Sequence, residues 1–124
     1  MIQVLSPASD LKGGGPNHEN AGVILVVEDV FVRNFLRATL GRQGYHVICA
    51  EAADALVFLR ERGGRVDLLI TNIPLDFAEF GDMPVLYLAA VPDPAAVQPF
   101  RQCVTLRKPF HPSQLLGHVA QLIR

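Results

Sequence analysis

The chain has 124 residues, of which 50% are hydrophobic, and a formal net charge of −1. A chain of this length and composition is sized for one compact domain with a substantial core. The near-zero charge argues against a nucleic-acid-binding protein and against a polybasic membrane patch. No apolar run approaches the roughly 20 residues that span a bilayer, and the start lacks the segments of a signal peptide. We therefore expect a cytoplasmic protein.

The first 22 residues differ in composition from the rest. The segment "DLKGGGPNHENAG" combines glycine, proline and small polar residues, which is typical of a flexible connection. The preceding "MIQVL" is compatible with a short strand or a docking segment. We predict a flexible N-terminal arm over residues 1–22 and one globular domain over residues 23–124.

From residue 23 on, apolar runs alternate with helical patterns. Runs rich in β-branched residues and leucine predict strands that are buried on both faces. Five such strands are predicted, over residues 23–27, 46–50, 66–71, 84–90 and 103–107. Strands that alternate with helices favour an α/β fold, in which a parallel sheet carries helices on both faces.

Three full helices are predicted between and after these strands. The first has two adjacent apolar rows at four-residue steps, which together form one broad buried face that ends before Gly44. These rows are Phe31, Phe35 and Thr39, and Val32, Leu36 and Leu40. The second helix covers residues 52–62 and stops at Gly63-Gly64. The last begins at Pro112, and its buried side comprises Leu115, Leu116, Val119, Leu122 and Ile123.

Two connections are too short or too rich in proline for full helices. Asp93-Pro94 is a good helix start, but Pro99 limits that helix to a turn or two. Residues 73–83 are fewer than the dozen or so that a crossover between parallel strands needs. The third helix is therefore predicted to be shortened or missing. We expect Leu75, Phe77 and Phe80 to cover the sheet face in its place.

Polar residues follow several of the predicted strands. In parallel sheets the functional crevice lies beyond the carboxyl ends of the strands. Glu28 and Asp29 follow the first strand, Asn72 the third and Lys108 the fifth. A single acid at a strand end often does no more than cap a helix. An acid pair, a central strand end and a Lys-Pro in this order point instead to a shared site.

This combination resembles the receiver domain of two-component response regulators, over roughly residues 23–124. "ILVVEDV" is similar to the family's first strand with its metal-binding acid pair, here Glu28 and Asp29. "DLLITNIP" is similar to the third strand, whose final aspartate is phosphorylated in the family, and Asn72 occupies that place. "LRKPF" is similar to the end of the fifth strand, with Lys108 as the phosphate-contacting lysine and Lys108-Pro109 as a cis bond. The resemblance implies a CheY-like, flavodoxin-like sheet in the order 2-1-3-4-5.

Two further positions depart from the family pattern. "MPVLYLAA" places Ala89 where the family has a threonine or serine, and Thr105 stands where an aromatic switch residue is usual. Phosphoryl transfer needs a nucleophilic oxygen, a charge-neutralising metal and donors for the phosphoryl group. The Asn72 amide is a poor nucleophile, and its neutrality leaves only weak Mg²⁺ binding at the acid pair. The sequence therefore predicts a degenerate receiver, a pseudo-receiver.

Enzymes of the same architecture fit the residues less well. A nucleotide- or flavin-binding enzyme needs a glycine-rich turn where this chain has its acid pair. A hydrolase needs a nucleophile at a strand-to-helix turn, and none is present. Cys49 and Cys103 are placed on opposite sheet edges, too far apart for a disulfide. His111 and His118 are read as a cap and a solvated side chain of the last helix.

We therefore predict a non-enzymatic, phosphorylation-independent receiver-like domain in phosphorelay signalling. Its partners are expected to be a protein of the pathway, such as a kinase or regulator, or a second copy of the chain, with no nucleic acid and no membrane. The alternative is a working receiver that is phosphorylated on Asp76 or Asp82. Without phosphate, Lys108 is expected to pair with Asp29 or Glu28 and to reach the Asn72 amide oxygen.

An interaction surface is also predicted. The missing third helix and the stunted fourth helix leave one sheet face thinly covered, and exposed apolar patches often mark interfaces. Phe77, Phe80, Val97 and Phe100 are expected at its rim, where they either close this face or offer it to a partner.

Overall fold

The structure is a computed structural model, which describes residues 3–5, 22–62 and 65–124. Its centre is a sheet in the order β1-β3-β2-β4-β5-β6. The strands are β1 (Gln3–Leu5), β2 (Val23–Val27), β3 (His46–Cys49), β4 (Leu68–Thr71), β5 (Val85–Ala89) and β6 (Cys103–Arg107). All neighbours from β3 to β6 are parallel. Counted from Val23, these five strands have the predicted order 2-1-3-4-5.

A sixth strand extends this sheet. β1 pairs antiparallel with β3, with Gln3 opposite Cys49 and Leu5 opposite Val47. It lies within the predicted N-terminal arm, whose remaining residues are outside the described part apart from Gly22. Because β1 flanks β3, Cys49 is not on a sheet edge as we predicted. Cys49 and Cys103 are both free thiols.

In the described part of the chain, three α-helices cover the two sheet faces and create two cores. The helices are α1 (Val30–Arg42), α2 (Ala52–Arg62) and α3 (Pro112–Ile123). One core joins side chains of α1 and α3, such as Leu36 and Leu115, to one face of the strands. The other joins side chains of α2, such as Leu59, to the opposite face. Successive residues Ile24 and Leu25 are both fully buried, one in each core. Within the described residues, no helix is both long and apolar enough to cross a bilayer.

The predicted loss of the third helix is confirmed. Pro74–Phe80 forms a 3₁₀ helix with a kink at Phe77, where φ is −115° and ψ is 21°. The Phe77 side chain is fully buried in the core beneath α2, whereas Leu75 is 53% exposed. Our expectation that Leu75 covers the sheet face is therefore wrong, because the 3₁₀ turn directs the buried positions to Pro74 and Phe77.

The fourth helix is also reduced, as predicted. Pro94–Val97 is a single 3₁₀ turn, and the Asp93 carboxylate caps it by accepting a hydrogen bond from the Ala95 N–H at 3.0 Å. The two 3₁₀ segments approach each other closely at Gly81. A Cβ atom there would lie 2.6 Å from the carbonyl oxygen of Pro99, so only glycine fits without a shift of the backbone.

Candidate functional site

The polar residues predicted at the strand ends lie at one edge of the sheet. Glu28 follows β2, Asn72 follows β4, Ala89 ends β5, and Lys108 follows β6. The parallel strands bring their carboxyl ends to the same side. The Lys108 backbone N–H donates to the Ala89 carbonyl at 2.8 Å, which ties the end of β6 to that of β5. The Lys108–Pro109 peptide bond is cis, as the resemblance implies.

A partly buried ion pair lies at this edge. The Lys108 ammonium lies 3.2 Å from Glu28 Oε1, to which it donates a hydrogen bond, and 3.1 Å from Oε2. The Glu28 side chain is 0% exposed and that of Lys108 22%. Oε2 makes no hydrogen bond of good geometry with the described residues, so its contact with Nζ is ionic. The pair spans 80 residues of sequence and joins β2 to β6 across the sheet.

Burial and pairing act in opposite directions on Glu28. Desolvation raises the pKa of its carboxyl group above the ordinary value, and it outweighs the lowering by Lys108 and by the Asp29 N–H. That N–H donates to Glu28 Oε1 at 3.0 Å. Lys108 is therefore the principal side-chain group that stabilises the ionised form of Glu28.

Asp29 is engaged differently. Its Oδ1 accepts hydrogen bonds from the Phe31 and Val32 N–H groups, both at 3.1 Å, and so caps the start of α1. The Val32 N–H is the largest cause of the lowered pKa of this carboxyl group. The side chain is 53% exposed, and its Oδ2 lies 3.9 Å from the Lys108 ammonium. Asp29 therefore acts mainly as the N-cap of α1, and it also makes a weak ionic contact with Lys108.

The Mg²⁺ that the resemblance implies does not fit this donor set. Mg²⁺ needs oxygen ligands in near-octahedral geometry, usually including carboxylates free to turn toward it. Glu28 faces the Lys108 ammonium at 3.1 Å, and Asp29 uses one oxygen to cap α1. Within the described residues, no group of three or more His, Cys, Asp and Glu side chains is arranged to hold a metal ion. Asn72 adds no third carboxylate.

Asn72 is exposed at the end of β4. The Thr71 hydroxyl shapes this turn, because it accepts a hydrogen bond from the Ile73 N–H at 3.0 Å. Among the residues that the structure describes, no hydrogen bond joins Lys108 to the Asn72 amide. Our prediction of that contact is wrong. The reason is electrostatic, since the ammonium lies within 3.2 Å of both oxygens of a buried carboxylate, which attracts it more strongly than a neutral amide does.

Tyr87 also lies at this end of the sheet and was not predicted as a site residue. It lies in β5 directly opposite Thr105 of β6, is 5% exposed, and contributes to a pocket of about 200 Å³ beside Asn72. Its hydroxyl oxygen accepts a hydrogen bond from the Asp93 N–H at 3.1 Å, which fixes the loop after β5. An aromatic residue two places before Ala89, on the same strand face, was the signal that could have identified it.

Phe31 and Phe35 depart from the predicted pattern of α1. They are 83% and 38% exposed, whereas Leu36 and Leu40 are fully buried. Helix α1 packs on the sheet through the second predicted row, so Phe31 and Phe35 of the first row, about 100° away around the helix, face outward, whereas Thr39 of that row is buried. Phe35 meets Phe110 edge-on with ring centroids 6.1 Å apart. Phe31, Val32, Phe35 and Phe110 line an open apolar pocket of about 290 Å³, which we call the aromatic surface.

The four residues predicted at an interface rim are mostly internal. Phe77 is 0% and Phe100 8% exposed, and Phe80 and Val97 are half-buried. We predicted that these residues would either close this sheet face or offer it to a partner. Phe77 and Phe100 close it, because the 3₁₀ segments bring both side chains into the core beneath α2. Phe77 and Phe100 therefore leave no exposed apolar patch, whereas Phe31 and Phe35 of the aromatic surface are exposed.

The alternative acceptors occupy different ends of the sheet. Asp76 is exposed in the 3₁₀ helix after β4 and lines the same 200 Å³ pocket as Asn72. Asp82 precedes β5, at the amino end of the strands, and pairs with Arg101 at 3.1 Å. The five residues of β5, roughly 16 Å of strand, therefore separate Asp82 from the Glu28–Lys108 pair.

Comparison with known proteins gives a consistent result for the fold. No protein-family model matches the sequence, and neither does any curated protein sequence. The chemotaxis protein CheY4 of Vibrio cholerae is 26% identical, with a TM-score of 0.65 over 82% of this chain and 98% of that chain. A signal receiver domain of a histidine kinase from Syntrophus aciditrophicus is 25% identical, with a TM-score of 0.63 over 83% and 90% of the two chains.

A third match has a similar overlap. A response regulator receiver protein from Sinorhizobium medicae is 23% identical, with a TM-score of 0.68 over 83% of this chain and 94% of that chain. The chain therefore has the fold of CheY-like receiver domains of response regulators and is a receiver-like domain of two-component signalling.

Proposed function

We propose that this receiver-like domain acts without being phosphorylated, as a non-enzymatic module that signals through contacts with other proteins. The observation that carries the proposal is the Glu28–Lys108 ion pair at the strand ends, next to an amide at the acceptor position. A working site would need a carboxylate nucleophile and a bound cation there. In this chain the lysine ammonium is the cation that faces Glu28, at 3.1 Å.

The residues around the pair support the same proposal. Ala89 at the end of β5 has no hydroxyl to bind a phosphoryl group, and Thr105 in β6 has no ring to rotate. The aromatic side chain next to Thr105 is Tyr87, which is buried and bonded through its hydroxyl to the Asp93 N–H. A side chain held in this way is poorly suited to move between two positions in response to a signal.

The alternative function is phosphorylation on another acid, and of the two candidates Asp76 is better placed than Asp82. Asp82 lies at the opposite end of β5 from Lys108, so no phosphoryl group on it could contact that lysine. Asp76 is exposed and shares a pocket with Asn72. It is therefore the acceptor that a phosphorylation experiment has to exclude.

Treatment with acetyl phosphate and Mg²⁺ is expected to leave the wild-type protein unmodified. The reason is that the Asn72 amide cannot form an acyl phosphate and that Glu28 and Asp29 are engaged by Lys108 and by the start of α1 rather than free to bind Mg²⁺. Intact-mass spectrometry of the wild type, Asn72→Asp and Asp76→Ala measures this. We expect Asn72→Asp to gain Mg²⁺ affinity first, by restoring a third carboxylate, without a phosphorylation-dependent conformational change. A base-labile adduct on the wild type that disappears in Asp76→Ala would establish the alternative.

Protein contacts are proposed to use the aromatic surface. An exposed phenylalanine beside other apolar side chains is costly in water, and such patches usually mark binding sites. Phe31 is 83% exposed, and it lies two residues after Asp29, the N-cap of α1 beside the ion pair. A partner that covers this surface would also contact Asp29, whose carboxylate is half exposed and ionised at neutral pH. A kinase or regulator with an apolar face and a nearby basic side chain meets both requirements.

The substitution Phe31→Ser tests this surface. We expect the variant to keep its stability within about 0.5 kcal/mol of the wild type, because the side chain lies outside both cores. Capture from the native host should retain a signalling protein on the wild type and lose it on Phe31→Ser. Val57→Ser is the matched control, since Val57 is 52% exposed on α2. A partner retained equally by all three proteins would show that the contacts use another surface.

A further inference from the structure

We propose that the outer side of β3 is a strand-docking site with two occupants. In the monomer it holds the chain's own β1, and in an exchanged dimer it holds β1 of a second copy. The starting observation is the antiparallel pairing of β1 on β3, which places Val4 opposite Ile48 and Leu5 opposite Val47.

The site itself is a sheet edge that needs cover. β2 pairs with one side of β3, so without β1 the other side would present unpaired backbone N–H and C=O groups. The β3 residues Val47, Ile48 and Cys49 are buried at 0%, 7% and 1% exposure. An apolar strand with a free edge is a template for a further strand, and the register with β1 shows that an antiparallel strand fits.

The connection to β1 does not fix which copy it pairs with. Leu5 and Ile24 both align with Val47, one on each side, so they lie about two strand spacings or roughly 10 Å apart. Residues 6–22 join these strands, and a segment of that length spans on the order of 50 Å when extended. The connection is thus several times longer than the distance between β1 and β2 within one molecule. It is long enough for β1 to reach the β3 edge of a neighbouring molecule.

The pairing is also short enough to open locally. β1 has three residues, and a short strand with a single pairing partner is marginally stable by itself. Edge elements of this kind open without unfolding the domain. Because both copies have the same sequence, β1 of a second copy makes the same backbone pairing with β3 that the first copy makes, so exchange sacrifices no pairing.

Linkage to its own domain gives β1 an effective concentration on the order of 1 mM. Exchange should therefore become measurable when the protein concentration approaches that value, and be rare in dilute solution. While the dimer is the minor species, its share should increase about tenfold for each tenfold increase in protein concentration.

A cross-link between β1 and β3 tests this proposal in the full chain. Gln3 lies opposite Cys49, and opposed residues of an antiparallel pair have Cα separations that permit a disulfide. The variant Gln3→Cys is combined with Cys103→Ser, equilibrated at concentrations from about 10 µM to about 1 mM, and oxidised. Non-reducing electrophoresis then separates bonds within one chain from bonds between two, and peptide mapping identifies the residues joined.

The expected result is a bond between positions 3 and 49 in monomers at low concentration and in a growing share of dimers at high concentration. Adding Val4→Pro, which removes a backbone donor from β1, should abolish both products. The control combines Gln3→Cys with Cys49→Ser and Cys103→Ser. It measures how many dimers form by a disulfide between the two copies of position 3. A bond between positions 3 and 49 that is confined to monomers at every concentration would overturn the exchange. Failure to form that bond at all would overturn the docking site.

Discussion

Replacing Lys108 by methionine is expected to lower the free energy of unfolding by about 2–4 kcal/mol at neutral pH, because it leaves a buried carboxylate without its counterion. Glu28 is 0% exposed at its side chain, and the ammonium is within 3.2 Å of both its oxygens. Methionine keeps most of the apolar stem of lysine, so the loss reports the charge rather than packing. Urea unfolding of both proteins measures it. A midpoint unchanged from the wild type would contradict the role given to the pair.

The loss should depend on pH in a defined direction. Burial already raises the pKa of Glu28, so the folded protein holds this proton at pH values where the unfolded chain, with its ordinary pKa near 4.5, has released it. Stability from this group is therefore greatest at low pH and is lost as the pH rises through the folded pKa. Without Lys108 the pKa rises further, so the variant loses more stability, over a wider range above pH 4.5.

A double variant provides the control for this pH dependence. Glu28→Gln with Lys108→Met has neither the Glu28 carboxyl group nor the Lys108 ammonium, so the part of the pH dependence due to Glu28 should be absent from it. The gap between the wild type and the single variant should narrow as the pH falls toward 4.5, because protonation of Glu28 removes the charge that Lys108 neutralises. A gap of constant size between pH 4.5 and pH 8 would mean that Lys108 stabilises the fold by packing and not by its charge.

Replacing Phe77 by alanine is expected to cost about 3–5 kcal/mol, which is typical of a fully buried phenylalanine. Its ring is among the largest fully buried side chains and occupies the core beneath α2, where a third full helix is missing. Leu75→Ala is the matched control, because Leu75 belongs to the same 3₁₀ helix and is 53% exposed. Its cost should stay within about 0.5 kcal/mol. Equal costs for the two variants would mean that Phe77 does not replace the helix.

The sequence was informative where a single physical signal dominates. "VILVV" predicts a strand buried on both faces, and β2 covers the same residues, Val23–Val27. The short span between Asn72 and β5 cannot hold a crossover helix, and a 3₁₀ helix is found there. The acid pair and Lys108 could be expected to meet because parallel strands end on one side of a sheet.

Other features depend on competition between partners, which a linear pattern does not resolve. Both rows of α1 were predicted to be buried, and only the packing of the helix on the sheet decides that Leu36 is buried and Phe35 exposed. Lys108 could bind an amide or a carboxylate, and the buried charge of Glu28 decides between them. β1 has three residues, too few for a periodicity, so its pairing with β3 depends on the open edge of β3.

The ion pair at the strand ends has a consequence for how such a domain could carry information. A receiver that is modified reports a signal by dividing its population between two shapes, in proportion to how much of it is modified. A domain whose buried acid already faces its own lysine has, under the proposed function, one shape to present to partners. The fraction of a partner that it occupies then follows from the amount of the domain relative to the dissociation constant alone. Cells would adjust such a signal by synthesis and degradation of the protein, on the timescale of gene expression rather than of a phosphoryl transfer.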